Sequence, residues 1–221
     1  QQAQERLGRS DRFIYVAADA YRLPFVPGLF DTATMIRTLH HMADAPAAIQ
    51  QVHQTLKSGG VFILEYANKQ NIKAILRYLT RRQTWNPFDL EPIEFTELNF
   101  DFHPRAVRTW LQQADFKIEQ QLTVSHYRID FLKRHAPISW LVQMDALAQL
   151  SGNWWQLTPS VFVRACASGN SIPANPDQFF RCPECGHFPL DLQPQAVVCP
   201  SCRRSYDLRD GIYDFREANK S

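Results

Sequence analysis

The sequence predicts an α/β fold: an incomplete doubly wound sheet with an antiparallel edge, followed by a small metal-stabilised C-terminal domain. Three observations predict it. Short apolar runs alternate with a helical pattern that stops at glycine, two β-rich runs come late in the body, and two C-x-x-C pairs close the chain.

Phe13 to Ala18 is a continuous apolar run, as in a strand covered on both faces, and Asp19 ends it. Phe30 to Ile36 reads as the next strand. Ala48, Ile49, Val52 and Leu56 then recur at helical spacing in a helix from Ala45 to Lys57, stopped by Ser58-Gly59-Gly60 before a third strand at Val61 to Glu65. From Asn68 to Leu79 a helix places Ile72, Ile75, Leu76 and Leu79 on one face. Periodicity is lost between Thr80 and Asp101, where Pro87, Pro92 and aromatic residues suggest a loop or lid. Pro104 suits a first helical turn and opens a helix through Ala114. Phe116 to Val124 alternates as a strand, Ile138 to Leu150 is helical, and Ser160 to Ala167 is a last strand, giving an antiparallel pair at the sheet edge. Residues 168–178 are small, polar and proline-bearing, the composition of a linker. The expected division is therefore a body at 1–167, a linker at 168–178, a small domain at 179–216 and a tail at 217–221.

Composition excludes several functions. With 221 residues, 45% of them apolar, the chain can bury a real core. Its 24 Lys and Arg against 22 Asp and Glu leave a net charge of +2, too little for a broad field that would grip nucleic acid or anionic lipid. No run is long enough to span a bilayer and no secretion signal precedes the body, so a cytoplasmic location and no membrane partner are expected. Oligomeric state is not legible. Cys166, flanked by Ala165 and Ala167, is expected to be a buried small side chain. The chain opens at Gln1 in polar, helix-like sequence, which reads as a fragment.

Cys182-Pro-Glu-Cys185 and Cys199-Pro-Ser-Cys202 are separated by thirteen residues. That spacing lets two thiolate knuckles meet over one tetrahedral metal. Zn2+ suits four sulfurs best, and a rubredoxin-type iron site uses the same geometry. Four cysteines complete the shell, so His187 is expected to be exposed and the metal structural rather than catalytic. At 38 residues from Phe179 to Arg216, the domain needs the metal to fold. Its five Arg and five acidic residues balance, which argues against a purely electrostatic nucleic-acid grip. The run Tyr206-Asp-Leu-Arg-Asp-Gly-Ile-Tyr-Asp-Phe215 resembles the short zinc-ribbon family that includes the activator subunit of tRNA and protein methyltransferases.

The body carries a second resemblance. Asp19-Ala20-Tyr-Arg-Leu23-Pro24-Phe25, Phe30-Asp31, Leu39-His40-His41 and Lys57-Ser58-Gly59-Gly60 resemble, in order and spacing, the middle of a class I S-adenosylmethionine (SAM) dependent methyltransferase of type 11, a Rossmann-like fold. The resemblance implies SAM as cofactor, with Asp19 accepting from the adenine amino group, the Ala20 N–H meeting the ring, and Ile36 lying near the methionine part through its backbone. A carboxylate at a strand's C-terminal end suits that role on physical grounds, since it faces the ligand crevice of an open α/β sheet. Capping the next turn is the alternative for Asp19. His40 and His41 include the candidate general base, imidazole titrating near neutral pH, or else serve packing and hydrogen bonding. Arg37 comes next after Ile36, either to face a substrate acid or as a solvated arginine.

The family's glycine-rich G-x-G-x-G turn and the acid ending its second strand have no counterpart here, so this chain alone is expected to bind SAM poorly. An N-terminal portion of about 50 to 90 residues, from usual unit lengths, would account for that. A natural remnant would instead leave a sheet face bare, and Leu7 to Ala18 would need a partner. Substrate residues are expected in Trp85-Asn86-Pro87-Phe88, Asp101-Phe102-His103, Ser125-His126-Tyr127-Arg128 and Asn153-Trp154-Trp155, lining a pocket for a planar or acidic small molecule, with Trp154 and Trp155 alternatively plain core. An RNA-base methyltransferase and a non-catalytic binding module remain open as other functions.

Overall fold

The computed structural model describes residues 2–127, 134–169, 174–175 and 178–220, with backbone alone for 217–220. In chain order these form α1 (Gln2–Leu7), β1 (Tyr15–Ala17), β2 (Phe30–Met35), α2 (Ala45–Thr55), β3 (Leu56–Ala67), α3 (Ile72–Leu79), β4 (Ile93–Thr96), β5 (Asn99–Asp101), α4 (Pro104–Gln113), β6 (Phe116–Val124), α5 (Ile138–Gln149), β7 (Ser160–Ala167), β8 (Asp191–Leu192), β9 (Ala196–Val198), β10 (Arg204–Arg209) and β11 (Ile212–Lys220). Short 3-10 turns lie at Leu39–His41 and Leu150–Asn153. The chain divides into two compact units, one of residues 1–29 with 172–221 and one of residues 30–171.

The unit of residues 30–171 is built on a four-stranded sheet in the order β2-β3-β7-β6. β2 and β3 are parallel, Met35 pairing with Leu64, and α2 is the crossover between them. β7 runs antiparallel to both β3 and β6, so the mixed α/β sheet ends in the expected antiparallel edge. Strand alternation sends Phe62, Leu64 and Tyr66 of β3 and Val161, Val163 and Ala165 of β7 to one face. There they pack with Ile49 and Val52 of α2 and Val107 and Leu111 of α4 into one buried cluster.

Local chemistry fixes the helix starts. Asp44 caps α2 by accepting the Ala47 N–H at 3.0 Å, Asn71 caps α3 through Ala74, and His103 caps α4 by accepting the Arg105 N–H on Nδ1 at 3.1 Å. α2 ends at Thr55, earlier than expected, because Leu56 already pairs with Phe30 in the sheet. The register then shifts before Thr32, and Gly60 lies so close to Lys57 that an added Cβ would sit 2.9 Å from its carbonyl oxygen.

Two expectations need correction in this unit. The stretch from Thr80 to Asp101 is not wholly irregular, since β4 and β5 pair as a hairpin. The buried Lys69 ammonium also ties the preceding loop down, donating to the Asp89 carboxylate and to the Glu91 carbonyl at 2.5 Å. Cys166 is half-buried rather than buried, because its side of β7 is less covered than the face carrying Val163 and Ala165.

In the other unit the sheet order is β1-β11-β10-β9-β8. The strand expected at 13–18 is present as β1, and its partner is the last strand of the ribbon: Tyr15, Val16 and Ala17 pair in parallel with Ile212, Tyr213 and Asp214. Further along, Phe25 bridges Phe180, Val26 N–H donates to the Phe179 carbonyl at 3.2 Å, and Arg181 N–H to that of Pro24 at 3.0 Å. Residues 1–29 thus group with the ribbon, whereas the sequence division kept them with the body. A strand lacking a partner on its own side satisfies its backbone groups on whatever edge is free, and β11 offers one.

Candidate functional site

The candidate metal centre is built by two knuckles of the same design. Cys182 N–H donates to the His187 carbonyl and Cys199 N–H to that of Arg204, each at 2.9 Å. The return bonds run from Gly186 N–H to the Cys182 carbonyl and from Arg203 N–H to that of Cys199, again at 2.9 Å. Gly186 and Arg203 follow the second cysteine of each pair and both take a left-handed backbone, φ 72 and 57, which closes the turn. These turns aim four Sγ atoms, those of Cys182, Cys185, Cys199 and Cys202, at one point, all within 4.8 Å of one another. Cys182 and Cys202 are 3.7 Å apart and Cys185 and Cys199 3.6 Å. A tetrahedron with Zn–S bonds near 2.3 Å has edges of about 3.8 Å, so this donor set fits zinc.

The Tyr206 hydroxyl lies 3.3 Å from Cys182 Sγ and can donate to a thiolate there. Sequence reasoning missed Tyr206 because no spacing rule marks an outer hydrogen bond. His187 takes no part through its ring. It is half-buried rather than exposed, held by its backbone in the first knuckle.

The second candidate is the crevice at the carboxyl ends of β2 and β3, the ligand side of an open α/β sheet. A cavity of ≈ 430 Å³ is lined there by Ile36, Arg37, His40, Glu65, Ser125 and Ser160 among others. The chain leaves β2 sharply, Arg37 taking φ 55, and its N–H donates to Glu65 Oε2 at 2.8 Å. The Ser160 hydroxyl donates to the other oxygen of the same carboxylate. Glu65 is buried, and these two donors satisfy both oxygens of its carboxyl group. Sequence reasoning stopped at Glu65 as the end of a strand. The argument made for Asp19, an acid at a strand's carboxyl end, applies equally to it.

The two histidines separate. His40 lines the cavity, and burial, followed by the neighbouring His41, lowers its pKa, so the ring is neutral at pH 7. His41 turns outward, its Nδ1 donating to the Leu98 carbonyl at 2.8 Å. Ile36 is exposed and lines the same cavity.

Asp19 and Ala20 belong to the other unit. Asp19 Oδ1 accepts the Tyr21 N–H at 2.9 Å and Oδ2 accepts from Arg22 Nε at 3.3 Å, a turn-capping arrangement that leaves further lone pairs for an adenine amino group. The sequence offers no glycine-rich turn for the ribose and methionine, so the residues present do not complete a SAM cradle.

The expected substrate segments scatter. Ser125 reaches the crevice, Phe102 is core, and His103 is a helix cap. His126 instead lines a separate cavity with Trp155, its ring Nδ1 3.0 Å from Asp145 Oδ1. Trp154 and Trp155 are exposed, not core. Arg128 lies outside the described residues.

Comparison with known proteins bears on the first part of the chain. Residues 1–64 match the family model described as a methyltransferase domain. This stretch is similar to methyltransferase-domain sequence. It contains Asp19, Ala20, Ile36, His40 and His41, and it runs through β2, α2 and most of β3. The chain is 35% identical over 65 residues to the sterol 4-C-methyltransferase strm-1 of Caenorhabditis elegans, covering 29% of this chain and 20% of that protein. It is 36% identical over 67 residues to the mitochondrial 2-methoxy-6-polyprenyl-1,4-benzoquinol methylase of Xenopus laevis, covering 30% and 22%. This chain therefore spans 20–22% of the length of those curated relatives. Among solved structures, the S-adenosylmethionine dependent methyltransferase of Mesorhizobium loti aligns with a TM-score of 0.47 at 17% identity, covering 75% of each chain.

Proposed function

We propose that this chain belongs to an enzyme that transfers the methyl group of SAM to a small-molecule acceptor, and that its zinc ribbon is a structural appendage. The observation that carries the reading is a coincidence of match and geometry. The methyltransferase-domain segment contains β2, the turn after it and most of β3, and those elements wall the crevice. Methyl transfer needs an aligned acceptor more than it needs a strong base, because positioning alone can remove much of the barrier. Arg37 would orient an acidic or electron-rich acceptor, Glu65 would hold the Arg37 turn through its backbone N–H, and neutral His40 would take the proton an acceptor loses on methylation. The names of the sterol and benzoquinol relatives support a small organic acceptor rather than a macromolecule. The β1–β11 pairing supports a ribbon that takes a strand from the segment similar to a methyltransferase domain into its own sheet.

A second reading, a non-catalytic binding module, is favoured by the engagement of both Asp19 oxygens. Calorimetric titration of SAM into the gene's full polypeptide decides between them. A 1:1 complex with Kd in the ordinary range for enzyme substrates, about 1 µM to 1 mM, is expected, and Asp19→Ala should weaken it about tenfold through one lost hydrogen bond to a charged group. Absence of heat from a folded polypeptide that carries the glycine-rich turn would exclude the enzyme.

A further inference from the structure

Helix α3 turns its apolar residues away from the core. At 100° per residue, Ile72, Leu76 and Leu79 share a stripe about 60° wide, with Ala74 nearly opposite. The stripe is the exposed side: Ile72, Leu76 and Leu79 are 53%, 55% and 67% accessible, and Ala74 is the buried residue of the helix. Surface helices ordinarily present their apolar stripe to the protein interior, so this one is arranged for a different apolar phase.

The stripe continues beyond the helix. Ile72 N–H donates to the Leu157 carbonyl at 2.8 Å, and Ile72, Trp155 and Leu157 line one shallow cavity of ≈ 340 Å³. Trp155 and its neighbour Trp154 are 64% and 78% accessible. Exposed tryptophan beside aliphatic side chains suits a boundary between water and hydrocarbon, where the ring is half solvated.

Charge names the occupant. Lys73 and Arg77 border the stripe along one flank, and the exposed Arg81 and Arg82 follow directly after the helix. From Asn71 to Pro87 the sequence holds these four cations and no Asp or Glu, on a chain whose total charge is only +2. An apolar stripe flanked by cations, with tryptophan at its end, is the pattern of a helix lying in the plane of an anionic lipid surface. Zero acidic residues give a second copy of the same face nothing to pair its arginines with.

We propose that α3, with Trp154, Trp155 and Leu157, forms a docking face for an anionic membrane surface. Ile72, Leu76 and Leu79 enter the acyl boundary while Arg77, Arg81 and Arg82 meet lipid phosphates. The sequence reading that expected no membrane partner weighed a spanning run and the net charge of the whole chain, and neither measures one local face. No helix among the described residues is long and apolar enough to cross a bilayer, but a helix lying on the surface needs only one apolar side.

Sedimentation of the zinc-loaded chain with phosphatidylcholine vesicles, with and without 30% phosphatidylglycerol, tests this. Binding at least tenfold tighter to the anionic vesicles, weakened by salt and accompanied by a blue shift of tryptophan emission, is expected. Leu76→Asn with Leu79→Asn should cut binding at least tenfold, and Arg77→Gln with Arg81→Gln and Arg82→Gln should erase the preference for anionic lipid. All five positions are exposed, so unchanged thermal unfolding of both variants separates lost docking from lost folding. Failure to bind either vesicle overturns the proposal. So does binding unaffected by the leucine changes, which would be charge attraction only. A dimer that those changes convert to monomer, without vesicle binding, would reassign the face to self-association. The proposal is independent of methyl transfer: vesicle binding and SAM titration can each fail without the other.

Discussion

The two units of this chain solve the same folding problem with different means. In residues 30–171 a sheet is covered on one face by α2 and α4, and its cluster of seventeen buried residues runs from Leu39 to Ala167. The ribbon unit buries seven, and two of those are Cys182 and Cys199 of the four-sulfur cluster. It has a cysteine set that fits zinc and a borrowed segment: Val16, Ala18 and Phe25, from the stretch similar to a methyltransferase domain, pack against the cluster that includes Phe180, Tyr206 and Phe215. Small domains cannot rely on apolar burial, and the comparison shows where the missing stabilisation is found.

The comparison breaks first at the metal. Stripping zinc with a chelator, or changing Cys199 to Ser, should unfold the ribbon unit outright, since structural Zn2+ contributes about 10 kcal/mol or more to such folds. Residues 15–17 should lose protection from hydrogen exchange together with 212–214, because those strands share one ladder. Exchange in β3, β6 and β7 should not change. Elemental analysis of the folded protein should give one zinc per chain, and exchange mass spectrometry with and without chelator reads the rest. Protection of Tyr15–Ala17 that survives metal removal would show that β1 does not depend on the ribbon.

Much of this was legible. β6 and β7 lie at the bounds their alternation gives, 116–124 and 160–167, because strands with one covered face write their period directly into the sequence. The four-cysteine site was legible for a similar reason: C-x-x-C spacing is itself the geometry of a knuckle. What escaped were relations between distant segments. Nothing local to Tyr15–Ala17 says that its partner lies about two hundred residues on, at Ile212. Periodicity found the stripe of α3 but not its direction, since a moment does not say which side is core. Glu65 and Ser160 meet only because β3 and β7 are neighbours, and no motif encodes that pairing.

Within the body, the buried pair of Lys69 and Asp89 sharpens the contrast with the ribbon, because here charge rather than metal ties a loop down. Lys69 is buried and Asp89 is exposed. Removing the acid strands an ammonium in the interior with the Glu91 carbonyl to accept from it, whereas removing the ammonium leaves a solvated carboxylate. Asp89→Ala should therefore cost about 2–4 kcal/mol and Lys69→Met less than about 1 kcal/mol, the order set by which partner is left buried. Urea unfolding of the zinc-loaded chain measures both, and equal costs would mean that the pair's burial is not what matters.

The smallest effect is a pH dependence carried by one carboxyl group of the body. Burial pushes the Asp101 carboxyl up to about 6. Below about pH 4 both folded and unfolded chains hold this proton, and the group is neutral to stability. As pH rises from about 4 to 6 the unfolded chain ionises first, so folding is progressively disfavoured; above that the penalty is constant. Two units correspond to about 3 kcal/mol at most, and relaxation around β5 should reduce the measured value to about 1–2 kcal/mol. Asp101→Asn keeps the shape and removes the proton. The variant should match the parent at pH 4 and be more stable by that amount at pH 8, read from urea midpoints of the body's transition. Because the metal site also loses zinc in acid as its thiolates protonate, the comparison must follow a probe in the body, such as exchange at β6. A stability gap of equal size at both pH values would show that Asp101 acts through shape and not through its charge.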